Sequence, residues 1–204
     1  IRNRMAKLRE QIRRMEPARQ AQRANRSRST IPSVAIAGYT NAGKSTLLNA
    51  LTGADVLVED ALFATLDPTV RRTQTEDGRA YTLSDTVGFV SRLPTQLVEA
   101  FRSTLEEVGE ADVILHVVDA AHPDPIGQIQ AVHSVLDTIE GARDIPELIV
   151  FNKADLASDE QRVFVRSLSE GAVLVSAVTG QGISELQKAI ASMLPRPREV
   201  VDCV

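Results

Sequence analysis

Nine consecutive residues, Gly38-Tyr39-Thr40-Asn41-Ala42-Gly43-Lys44-Ser45-Thr46, restrict this chain more than any other feature. They fit the pattern G-x-x-x-x-G-K-[ST], follow the apolar run 34–37 and open a helical stretch at 44–51, the context this motif requires. Glycines let the turn wrap so that backbone N–H groups converge on phosphate oxygens, and the helix N-terminus adds favourable partial charge. Lys44 supplies a cation for the β- and γ-phosphates. Ser45 offers a hydroxyl to a magnesium ion, which keeps several waters and binds phosphates readily. The plain alternative, a glycine turn that happens to precede a helix, is set aside by the complete motif in its strand-to-helix context. This loop is expected to bind a nucleoside triphosphate.

From Val34 onward, short apolar runs alternate with helical periodicity. Strands are predicted at 34–37, 70–75, 80–83, 113–119, 148–151 and 173–175. Helices are predicted at 44–51, 96–107, 126–140, 159–168 and 183–194. The run Val113-Ile114-Leu115-His116-Val117-Val118 is nearly all apolar, as expected of a parallel strand buried on both faces. Two β-rich runs around Asp77-Gly78 predict a hairpin and hence one antiparallel edge strand. The fold class is α/β: a doubly wound, mostly parallel sheet with helices on both faces.

Two further motifs sit at predicted strand ends. Asp85-Thr86-Val87-Gly88 follows the strand 80–83. An Asp there can hold magnesium through water, and Gly88 can bring its N–H close to a γ-phosphate because no side chain intervenes. Asn152-Lys153-Ala154-Asp155 follows the strand 148–151. A carboxylate at Asp155 can accept hydrogen bonds from guanine N1–H and its 2-amino group. Adenine offers neither donor, and sites built around such a group can reject its absence by about 10⁴-fold or more. The Lys153 stem can lie along the base, and Asn152 can bridge the base loop to the phosphate loop. Ser176-Ala177-Val178, after the last strand, would place the Ala177 N–H near guanine O6. The competing reading makes Asp155 or Ser158 a simple helix cap for 159–168. Taken with the phosphate loop, the motif order indicates GTP rather than ATP.

Composition bounds the rest. Apolar residues make up 43% and charged residues 25%, which excludes a mostly disordered chain. No apolar run reaches the ~18–20 residues of a membrane span. The single cysteine, Cys203, excludes an intramolecular disulfide and a Cys-based zinc site, and it fits a reducing, cytoplasmic setting. With no Trp and 3% aromatic residues, an aromatic base-stacking platform is disfavoured. The chain begins at Ile1 rather than Met, as a piece of something longer would. Charge is partitioned: residues 1–33 hold ten Lys or Arg against Glu10 and Glu16, a net of +8, whereas the other 171 residues net −12. Within that arm Ile1, Met5, Leu8, Ile12 and Met15 form a heptad stripe too short to hold a helix alone. Pro17 ends or kinks it, and 25–33 reads as a linker. The arm is a solvated coiled-coil remnant, a basic helix touching RNA, or a membrane-surface attachment. The expected organisation is arm and linker 1–33, nucleotide-binding domain 34–194 and tail 195–204.

On these residues the sequence resembles the HflX-type GTPases of the translation-factor-related P-loop class. G-Y-T-N-A-G-K-S-T at 38–46, L-F-A-T-L-D-P-T at 62–69, D-T-V-G-F at 85–89, L-H-V-V-D at 115–119 and N-K-A-D at 152–155 carry the match. It covers 34–194, and the arm looks like the end of that family's N-terminal helical region. The resemblance implies that Phe63, Ala64, Thr65, Leu66 and Asp67 form the first switch, with Thr65 completing the magnesium shell beside Ser45. It also implies binding to the large ribosomal subunit and its rRNA, in splitting or rescuing stalled ribosomes, by a protein expected to be a monomer.

Hydrolysis of GTP to GDP and phosphate needs in-line water, magnesium and positive charge on the transferring group. Lys44, Thr65 and Gly88 are the candidates for that work. Ras-like proteins place a Gln directly after D-x-x-G, but here Phe89 stands there and cannot orient water. Slow intrinsic turnover is therefore expected, completed by another switch residue, a monovalent cation or the ribosome. Asn41 either hydrogen-bonds only within the loop or is the candidate for potassium, since relatives with an Asn-Ala pair at this place include potassium-activated GTPases. His116 reads as a satisfied core histidine, and His122 and His133 carry no pattern. Two other functional classes fit: a GTP-gated binding module with negligible hydrolysis, and the G domain of an RNA-modifying or transport protein.

Overall fold

The computed structural model describes residues 31–53, 70–86, 108–139 and 141–195. The chain divides into two units, Ile1–Ile31 and Pro32–Val204, and the sheet and its helices belong to the second. The basic arm, the helix expected at 96–107, Phe63 to Asp67, Val87, Gly88, Phe89 and Cys203 lie outside the described residues.

Six strands form one sheet: β1 (Ser33–Gly38), β2 (Val70–Gln74), β3 (Ala80–Asp85), β4 (Val113–Asp119), β5 (Glu147–Asn152) and β6 (Val173–Leu174), in the order β2-β3-β1-β4-β5-β6. All neighbours are parallel except β2 and β3, which form the expected hairpin and leave β2 at the edge. The turn is closed by Gly78 N–H donating to Thr75 O at 2.9 Å, with Gly78 at φ +82°. β2 carries Arg71 and Arg72 exposed, as suits a strand with one open edge. β1 and β4 lie in the centre and are buried on both faces, which is why their sequences are continuous apolar runs rather than alternating ones.

Among the described residues four helices cover the sheet: α1 (Lys44–Thr52), α2 (Pro125–Leu136), α3 (Asp159–Leu168) and α4 (Ile183–Met193). Leu47, Leu48 and Leu51 of α1 and Leu186 and Ile190 of α4 pack on Val34, Ile36, Leu115 and Val117. Val132 and Leu136 of α2 meet Ala35, Ala37 and Ile114, and Val165 of α3 meets Val118 and Phe151 on that same face. The alternation along β4 fixes this division, because successive side chains point to opposite faces. Nine residues of α1 are too few to hold a helix in water. Its three buried leucines, at about 1.5–3 kcal/mol each, provide what propensity cannot.

Several expected bounds move. β3 and β5 run on to Asp85 and Asn152, because both residues still pair with neighbouring strands despite polar side chains. β6 stops at Leu174, although Val175 N–H donates to Phe151 O at 2.8 Å. The helix expected at 126–140 begins at Pro125, where Asp124 Oδ1 accepts from Gly127 N–H at 2.8 Å. It ends at Leu136. Thr138 and Ile139 N–H groups reach back only three residues, to Val135 O and Leu136 O, which tightens the chain into a turn. Ile139 keeps the helical periodicity only because it packs on the core from that turn.

Candidate nucleotide-binding site

The phosphate loop leaves β1 at the sheet centre and enters α1. Gly38 lies in register with Val117 of β4, so closely that a Cβ at Gly38 would run into the Val117 carbonyl oxygen. Asn41 and Gly43 adopt positive φ, +59° and +89°, which turns the chain over the strand end. A Cβ at Gly43 would collide with the Asn152 amide nitrogen, so this glycine permits the base loop to approach. Gly43 precedes α1 without any side-chain cap, leaving the helix's first N–H groups to an incoming anion. Tyr39, Thr40 and Thr46 are partly exposed along the loop, Ala42 is buried and Asn41 faces solvent.

Lys44 is buried and its Nζ donates to Tyr39 O at 3.2 Å. Burial lowers its pKa to about 8, while the nearby Asp85 carboxylate pulls it back up. Ser45 Oγ donates to Asp85 Oδ2 at 2.6 Å, bringing together two oxygen ligands from α1 and the end of β3. A hydroxyl and a carboxylate beside a phosphate loop form the hard donor set that magnesium prefers. Thr86 Oγ1 donates to Ile36 O at 2.7 Å, anchoring the start of the D-T-V-G segment to β1.

At the other end of the site, Asn152 closes β5 and joins three segments. Its Nδ2 donates to Ala42 O in the phosphate loop at 2.9 Å, and its Oδ1 accepts from Ala177 N–H at 3.0 Å. The Ala177 amide expected near guanine O6 is thus already engaged by Asn152. Ser176 is buried and Val178 is 79% exposed. Lys153 takes a left-handed conformation, φ +63°, and its Nζ meets Asp119 Oδ2 at 2.6 Å. Asp119 also accepts from Ala121 N–H, and its own N–H donates to the buried Gln128 Oε1. Sequence reasoning gave Asp119 no role of its own. Its signal was a strand-terminal Asp, which the sheet sets beside Asn152.

The competing cap reading of Asp155 does not hold. Ser158 is the N-cap of α3 and forms a full capping box with Gln161. Asp155 is exposed and, among the described residues, its carboxylate has no hydrogen bond or ion pair. Thr65, Gly88 and the other switch residues lie outside the described residues.

Residues 33–153 match the family described as 50S ribosome-binding GTPase. The chain is 49% identical over 201 residues to GTPase HflX of Caldanaerobacter subterraneus subsp. tengcongensis, covering 98% of this chain and 46% of that protein. It is 43% identical over 196 residues to GTPase HflX of Escherichia coli, covering 95% and 46%. It therefore spans somewhat under half the length of these curated relatives. Among solved structures, Era in complex with MgGDPNP and nucleotides 1506–1542 of 16S ribosomal RNA aligns with a TM-score of 0.66 and 25% identity, over 81% of this chain and 57% of that one. The family match spans more than half of the chain, so the chain belongs to the 50S ribosome-binding GTPase family, and its similarity runs along nearly its whole length to GTPase HflX.

Proposed function

We propose that this chain binds GTP with magnesium and hydrolyses it to GDP and phosphate, as the nucleotide-dependent switch of a cytoplasmic protein that acts on the large ribosomal subunit in splitting or rescue. One observation carries the guanine part of the reading. Asn152 holds the base loop against the phosphate loop, and Asp155 is left exposed with its carboxylate unengaged. That is the condition for recognising two donors on one base edge.

The roles follow from chemistry. Lys44 meets the β- and γ-phosphates and Ser45 ligates magnesium directly, with Asp85 acting through water. Thr65 and Gly88 serve the γ-phosphate side. When bound, magnesium neutralises charge on the transferring phosphoryl group. Burial of Lys44 in a site of low dielectric strengthens its pull on the phosphates. Asn41, turned outward in the loop at φ +59°, would direct a potassium ion toward the same charge. The +8 arm would meet rRNA, with the rest of a longer protein.

Asp155→Asn tests the base site. The amide can donate to the 2-oxo group of xanthine, whereas the guanine 2-amino group loses its acceptor. Nucleotide competition should show preference moving from GTP toward xanthosine triphosphate. Preference that stays with GTP would refute the assignment.

A further inference from the structure

His116 is the one ionisable side chain in a run otherwise made of Val, Ile and Leu, and it is wholly buried. It points to the same face of β4 as Ile114 and Val118, which belong to two different apolar clusters on that face. Two partners reach it there. Glu147, the first residue of β5, places Oε1 at 2.6 Å from His116 Nδ1. His133, on α2, places Nε2 at 3.0 Å from both Glu147 oxygens. The two imidazole rings are edge-on, with centroids 5.4 Å apart and planes 67° apart. Three elements separated in sequence thus aim two imidazole nitrogens and a carboxylate at one point.

We propose that His116, His133 and Glu147 form a binding site for a single divalent ion of the zinc class, independent of the nucleotide site. The three donor atoms lie within 4.8 Å of one another. A tetrahedral zinc ion with bonds of ~2.0–2.2 Å holds its ligands about 3.4 Å apart. The 2.6 Å pair therefore opens by about 0.8 Å, and the widest pair, within 4.8 Å, closes by up to about 1.4 Å, as a cation replaces shared protons. His116 is fixed by the core, whereas His133 and Glu147 side chains are 43% and 26% exposed and can adjust. That exposed side leaves room for water as a fourth ligand. Imidazole with carboxylate suits zinc better than magnesium, which prefers oxygen ligands alone.

The protonation states suit a cation. Burial holds the His116 imidazole below its ordinary pKa, in the neutral form that ligates metals. Burial pushes the Glu147 carboxyl up, but the hydrogen bonds it accepts from His116 and His133 outweigh that and keep it low, hence ionised. One feature limits affinity. Nδ1 ligation moves the His116 proton to Nε2, which is buried without a hydrogen-bond partner among the described residues. Missing that outer partner weakens a site by about 10- to 100-fold, so reversible rather than permanent loading is expected. The ion would clamp β4 and β5 just upstream of Asp119 and Asn152.

The test titrates ZnCl2 into the metal-free chain carrying Cys203→Ser, which removes the thiol, in excess MgCl2, which fills oxygen sites. Calorimetry should show one zinc per chain, and the unfolding midpoint should rise and return on adding a chelator. His133→Ala should weaken zinc binding by at least tenfold, and His122→Ala should leave it unchanged. His133 is half-exposed on a helix, so its loss leaves the fold intact. Glu147→Gln, which keeps an acceptor for His116 at similar volume, should weaken zinc binding equally. Absence of one-to-one saturation, or affinity unchanged in both variants, would leave a hydrogen-bonded triad only and overturn the proposal.

Discussion

Replacing Asn152 with Ala removes one side chain that closes two long-range contacts. Asn152 is 2% exposed, and its hydrogen bonds to Ala42 O and from Ala177 N–H measure 2.9 and 3.0 Å. Each such bond contributes about 0.5–1.5 kcal/mol net, and a buried partner left unsatisfied costs about 1–3 kcal/mol. Ala42 is fully buried, so its carbonyl bears that penalty, whereas Ala177 is partly exposed and can turn to water. The expected loss is about 2–4 kcal/mol, or roughly 5–12 °C for a domain of this size. Urea unfolding followed by far-ultraviolet circular dichroism measures it, since the chain has no Trp for fluorescence. Asn152→Asp keeps the acceptor for Ala177 but sets a carboxylate against the Ala42 carbonyl, so it should be no better than Ala. A loss below about 0.5 kcal/mol for Asn152→Ala would refute the view that this amide ties the two loops together.

Stability without nucleotide should rise from pH 8 towards 10. Lys44 titrates at about 8 when folded and near 10.5 unfolded, so below pH 8 the folded chain bears the full cost of burying its charge. Above that the folded chain sheds the proton while the unfolded one keeps it, a gain of up to about 3 kcal/mol. Past pH 10 Tyr81, pushed up to about 12 by burial, acts in the opposite direction. Urea midpoints across this window should lose their slope in Lys44→Met, and a persisting slope would assign it elsewhere. Ser158→Ala should cost about 1 kcal/mol by breaking the capping box, while leaving the preference for GTP over ATP unchanged. A shift in that preference would mean that Asp155 depends on the cap.

The phosphate loop and the N-K-A-D turn were legible in the sequence because their physics is local. A glycine that must avoid a neighbouring carbonyl, a lysine one residue beyond a left-handed turn and an Asn at a strand end each impose their residue type over a few positions. The class of fold was legible for the same reason, since runs such as 113–118 suit only a strand covered on both faces. Strand ends were not. Asp85 and Asn152 look like loop residues by polarity, yet the ladder pairs them with Ile36 and Asp119, and that pairing depends on chain far away in sequence. The helix end at Leu136 escaped likewise, because Ile139 answers to the core rather than to the helix. The sequence by itself determined which residues can hold a nucleotide, since each motif is contiguous and its geometry is set by neighbours along the chain. Only the tertiary structure decided that Lys153 meets Asp119, that Ser158 rather than Asp155 caps α3, and that His116, His133 and Glu147 share one point. Those meetings are products of strand register and helix packing, which bring together side chains that no local spacing connects.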